Sequence, residues 1–129
     1  MPKRAYIAVE NKEQACALLQ WSKKYGKEVS VVNEQNLLNI VTANLYYAYL
    51  IQAEKEIGVK FKNIAIQCCH KPGVVFTAIR IGFKNIIFQS AQHQIQEKIK
   101  NLLQSKNLYE NFDECHIVNF IEWKHKNKE

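Results

Sequence analysis

The sequence predicts an α/β fold built on an open, mostly parallel sheet of four or five strands. Three observations carry that prediction. Short apolar runs rich in isoleucine and valine alternate with segments of helical period along the chain. Gly26, Gly58 and Gly82 stand just past three expected helices, where a left-handed terminal residue is wanted. Finally, Phe61-Lys62-Asn63-Ile64-Ala65-Ile66-Gln67 is echoed by Phe83-Lys84-Asn85-Ile86-Ile87-Phe88-Gln89 at an offset of 22 residues. One strand and a short crossover helix fill that offset, so the copies read as neighbouring parallel strands.

The elements follow in order. Tyr6 to Val9 is the first strand. Asn11 caps a helix running to about Tyr25, with Ala15, Leu18, Leu19 and Trp21 facing inward. Glu28 to Val32 is the second strand. From Asn36 to Ile57 the pattern allows one long helix or a loop followed by a helix from near Asn44. Within it, Leu45 to Ile51 is apolar on every face. Lys62 to Cys68 is the third strand. Pro72 opens a helix over about Val74 to Ile81. Asn85 to Phe88 is the fourth strand, and Ser90 caps a helix from Ala91 to about Ser105. Glu114 to Ile121 is the fifth. Strands and helices in this alternation predict three layers, flavodoxin-like or Rossmann-like in winding.

A chain of 129 residues makes one domain, read as 1–122, followed by a basic tail at 123–129. Apolar residues make up 47% and charged residues 23%, an ordinary globular balance that excludes a disordered chain. The longest apolar run, Leu45 to Ile51, is seven residues, far short of the roughly 18 that a membrane span needs. The expected setting is cytoplasmic, with no membrane partner. Net charge is +6. A basic balance suits nucleic acid or acidic partners, but the lysines are scattered among glutamate and glutamine. Only Trp123-Lys124-His125-Lys126-Asn127-Lys128 is dense, and it reads as a solubilising tail. Nucleic-acid binding through that tail is therefore a disfavoured alternative.

Most chemistries are excluded by what is missing. The one aspartate, Asp113, is in a late polar segment, so neither a phospho-acceptor receiver nor an aspartate-nucleophile phosphatase finds its residue. No dinucleotide fingerprint, Walker A sequence or nucleophile elbow occurs. Cys16, Cys68, Cys69 and Cys115 contain no C-x-x-C, and His70, His93, His116 and His125 contain no helical metal pair. No metal and no cofactor is expected.

In parallel α/β sheets, ligands bind beyond the carboxyl ends of the strands. Here that rim carries Glu10, Asn33, Lys71, Gly73, Gln89 and Ser90 as candidate ligand contacts. Its most suggestive segment is Gln67-Cys68-Cys69-His70-Lys71-Pro72-Gly73. A thiol before a helix start gains from the helix dipole and from nearby cations, which favour the thiolate. Cys69 and His70 are accordingly the candidate catalytic pair, with Lys71 and the amides of Gly73 and Val74 as an anion cradle. The plainer reading is an ordinary strand–loop–helix junction. Tyr46, Tyr47 and Tyr49 suggest a homodimer face along the Tyr46–Ile51 helix.

From Cys69 to Gly82 the chain reads C-H-K-P-G-V-V-F-T-A-I-R-I-G, followed by F-K-N-I-I-F. Over about residues 40 to 105 this resembles a group of short bacterial α/β proteins with no assigned activity. The resemblance implies a Rossmann-like domain and carries no catalytic residue. Some of that group place an acidic residue near Cys68, from which this chain departs. The expected function is binding of a protein partner or small anionic ligand at the rim, without catalysis. The alternative is a thiol-dependent enzyme using Cys69.

Overall fold

The computed structural model describes residues 3–127. In chain order come β1 (Arg4–Val9), α1 (Lys12–Tyr25), β2 (Val31–Asn33), α2 (Ala43–Ile57), β3 (Ala65–Gln67), α3 (Pro72–Ile81), β4 (Asn85–Ile87), α4 (His93–Ser105), β5 (Cys115–Asn119) and α5 (Phe120–Lys126). Short 3-10 turns lie at Leu37–Asn39 and Phe112–Glu114. The α/β class and the parallel pairing expected from the sequence are those of the structure.

β1 pairs in parallel with β2 and β5, and β3 pairs in parallel with β4. A bridge between Val31 and Ile64 joins the two sheets, and on the far side of β4 Ile86 bridges Tyr109. The order is therefore β5, β1, β2, β3, β4, then the segment at Tyr109, which leads back into β5. Spatial order follows chain order. That is the single winding of (βα) barrels, and it replaces the three-layer, doubly wound arrangement expected from the sequence, because the helices α1 to α4 share one face of the sheet.

Burial shows the same thing. Tyr6, Ala8, Val32, Ala65, Ile87 and Cys115, with Ile117 against them, form a cluster made of strand residues alone. The alternate positions Val9, Val31, Ile66 and Ile86 join a second cluster with Leu18, Leu19, Tyr46, Leu50, Val75, Ile99 and Leu103 from α1 to α4. All four of these helices thus pack on one side of the sheet, and the other side curls to bury itself. Arg4 on β1 donates to Asn85 on β4 and to Glu110, both at 3.2 Å, and the Tyr6 hydroxyl donates to the Glu110 carboxylate. In a flat sheet β1 and β4 would lie about 14 Å apart at the usual strand spacing. The curl brings them together.

The repeated segments do lie on neighbouring parallel strands. Their register is slipped, however. Echoed residues are 22 apart, whereas ladder partners such as Ala65 and Asn85 are 20 apart (85 − 65). A slip of two keeps inward residues inward and tilts the strands, as a curling sheet requires.

Local chemistry sets the boundaries. The Asn11 side chain accepts from Gln14 N at 2.8 Å to start α1, and Gly26 ends it at φ +64°. Thr42 caps α2 through Leu45 N, which resolves the 36–57 stretch into a loop followed by a helix. Ser90 does not cap α4. Its hydroxyl accepts from Gln92 N, Gln96 reaches back to Ser90 N at 2.7 Å, and the helix begins only at His93. The fifth strand stops at Asn119, whose side chain accepts from Glu122 N and opens α5. The expected strand therefore ends two residues short of Ile121, and the tail expected from 123 is helix to Lys126, with Trp123 packed on both Trp21 and Phe120. Residues 128 and 129 of that expected tail lie outside the described residues.

Candidate functional site at the rim of the sheet

Three clefts open at the rim. One of about 200 Å³ is lined by Gln35, Gln67, Cys69, His70, Ile87, Gln89 and Phe112. A second, of about 160 Å³, shares Gln35, Gln67, Cys69 and His70 and adds Asn36, Leu38, Asn39, Cys68 and Lys71. Neither lining contains a carboxylate. A third, of about 280 Å³, lies at the ends of β1 and β5 and is lined in part by Glu10, Glu34 and Glu122. The rim thus has an acidic half and a half rich in amides and basic side chains.

Cys69 sits at the centre of the second kind of surface. Its backbone is left-handed, at φ +52°, where an L side chain is strained. Its carbonyl accepts from Gln89 N at 2.9 Å, which ties the β3 loop to the end of β4. Its Sγ lies 3.6 Å from the Gln35 carbonyl, a partner that a thiol can donate to and a thiolate cannot. Burial pushes the Cys69 thiol up; Lys71 pulls it down and Glu34 adds a further push. The lowering expected from Lys71 and the helix start is thus outweighed. Cys68 is buried, and burial pushes its thiol up to about 12, with a smaller push from Cys69.

Lys71 stands at the entrance to α3 and donates from Nζ to Asn39 Oδ1 at 2.6 Å. Val74 N is already spent on the Lys71 carbonyl at 3.2 Å, which halves the expected amide cradle. Gly73, exposed in the first turn, keeps the position whose amide the helix itself does not satisfy.

Other candidate residues fare differently. Asn33 is fully buried, and its side chain is committed to Gln67 and Glu34, so it is turned away from the open rim. Glu10 lines the acidic cleft, apart from Lys71. Gln89 joins the cleft at Cys69, while Ser90 stands outside the lining and is engaged in its turn. Sequence reasoning missed Gln35, Asn39 and Phe112. The run of amides after β2 was a usable signal for the first two. Nothing local points to Phe112, which follows β4 by a whole helix. In the aromatic stripe, Tyr46 and Leu50 belong to the core, where Tyr46 donates to Ala65 O at 2.9 Å and stacks on Phe83. Leu45 remains exposed.

Among the described residues no group of three or more His, Cys, Asp or Glu stands together as a metal set, and no helix is long and apolar enough to cross a membrane.

No family model matches the chain, and no curated protein matches it. Among solved structures it is similar to a candidate fructose-1,6-biphosphate aldolase from Coccidioides immitis, with a TM-score of 0.63 and 12% identity. The match covers 93% of this chain and 46% of the other, so the chain spans less than half the length of that neighbour. At this identity the likeness is one of fold, and it agrees with strands wound in chain order.

Proposed function

We propose that the protein is a non-enzymatic, cytoplasmic binding domain whose rim holds a small anionic ligand. The observation that carries this reading is the composition of the paired clefts. They meet at Cys69 and His70, with Lys71 on one wall, Gly73 at the helix start beyond, and no carboxylate in either lining. An ammonium, an imidazole and several amide donors facing one small space suit an anion. Binding is favoured over thiol chemistry because burial and the Gln35 carbonyl both hold Cys69 protonated. A nucleophile needs the thiolate and a positioned base. Four free cysteines fit a reducing compartment.

Native mass spectrometry of the freshly purified protein, set against its denatured mass, tests this reading. The expected result is a mass excess lost on denaturation, absent from a Lys71→Ala variant. A bare mass at multiples of the chain would count against the ligand and turn attention to a homodimer through the exposed part of the Tyr46–Ile51 helix around Leu45.

A further inference from the structure

We infer that the groove between α1 and α5 docks an acidic peptide segment carrying an aromatic or branched apolar side chain. At about 400 Å³ this groove is larger than each of the three rim clefts, and it shares no residue with the two at Cys69. Trp21 and Trp123 meet edge to face at 5.3 Å, over a floor of Ala17 and the buried Phe120. Among the described residues, the charged side chains of its lining are Lys24 and Lys124; Lys24 is already engaged, so the cation offered to a ligand is the exposed Lys124. Lys27 Nζ stands 6.0 Å from the centroid of the Trp21 ring.

Shape and charge together select the occupant. A concave apolar slot takes one hydrophobic side chain. Lys124 in the lining and Lys27 beside Trp21 favour the opposite sign, and a chain of net charge +6 draws an acidic partner from a distance. A nucleic-acid strand fits less well. Bases need open ring faces, and the Trp21 ring is already met by Tyr25 at 5.4 Å, by Trp123 and by Lys27.

The chain's two tryptophans both lie here, so tryptophan emission, excited at wavelengths that tyrosine does not absorb, reads this groove. The test titrates the full chain with a capped peptide of alternating glutamate and phenylalanine. The same peptide with lysine for glutamate, and a short oligothymidylate, serve as controls. The expected result is a saturable change in emission with the acidic peptide only. It should weaken with salt, and roughly three- to tenfold in Lys124→Glu, a change at an exposed rim position that leaves the core intact. No saturable change, equal binding of the lysine peptide, tighter binding of the oligonucleotide, or an unaltered affinity in Lys124→Glu would each overturn the inference.

Discussion

Asn33 and Gln67 hold each other at the ends of β2 and β3. Gln67 N donates to Asn33 Oδ1 at 2.7 Å, Gln67 Nε2 donates to the Asn33 carbonyl at 2.7 Å, and Asn33 Nδ2 donates back to the Gln67 carbonyl at 3.2 Å. Side-chain amides thus replace the backbone ladder where β2 and β3 no longer pair directly. Asn33 is fully buried, so its loss leaves an amide and a carbonyl of Gln67 unpaired. Asn33→Ala should cost about 2 to 4 kcal/mol of stability, read from urea unfolding, because buried unsatisfied polar groups carry their full desolvation penalty. A cost below about 0.5 kcal/mol, the usual size of a surface change, would refute this role.

Closure of the sheet rests on Tyr6 and Glu110. Burial pushes the Tyr6 hydroxyl well above its ordinary value, with its bond to Glu110 adding to this, so it stays a donor. Glu110→Ala removes the acceptor from a part-buried hydroxyl and one partner of Arg4. We expect a loss of about 1 to 3 kcal/mol and faster amide hydrogen exchange at Ile86 and Glu110, which bond across the same seam. Glu110→Gln keeps an acceptor and should lose less. Equal losses in the two variants would argue against the bond.

At Cys69 two properties separate strain from chemistry. The left-handed backbone favours glycine, so Cys69→Gly should fold at least as stably as the natural chain apart from lost thiol packing, while Cys69→Val should lose about 1 to 2 kcal/mol. The raised thiol predicts alkylation by iodoacetamide at neutral pH no faster than that of a model thiol. Faster alkylation would revive the thiol-enzyme alternative.

Cys68 gives a pH dependence of known sign. Its folded value of about 12 is above the ordinary thiol value, because burial disfavours the thiolate. The folded state therefore keeps a proton that the unfolded state releases. The resulting stability is fully present below the unfolded value near 8.5 and is lost as pH rises toward about 12, at about 1.4 kcal/mol per unit. Cys68→Ala should flatten this loss by about 2 kcal/mol between roughly pH 8.5 and 10.5. Parallel curves for variant and natural chain would contradict the assignment.

Legibility in the sequence followed range. Gly26, Gly58 and Gly82, the Asn11 cap and the Pro72 start are local signals, and each marks its element end in the structure. The echo correctly paired β3 with β4, because a repeat spaced by one crossover has few places to go. The winding was hidden, because it depends on Tyr6 meeting Glu110 across 104 residues. The rim was legible as a region, since strand ends can be read from the chain. Its membership was not: Asn33 turned inward to Gln67, and Phe112 arrived from beyond α4. Trp123 was masked by the lysines around it, which read as a tail until Asn119 opened a helix.

The most direct test of the rim as an anion site is a nitrogen–proton correlation titration of the whole chain with inorganic phosphate, repeated with Lys71→Ala. The account predicts saturable shifts confined to Gln35, Cys69 to Gly73 and Gln89, abolished in the variant. Shifts that grow linearly without saturation, or that cluster instead on the lysines of α5, would contradict it.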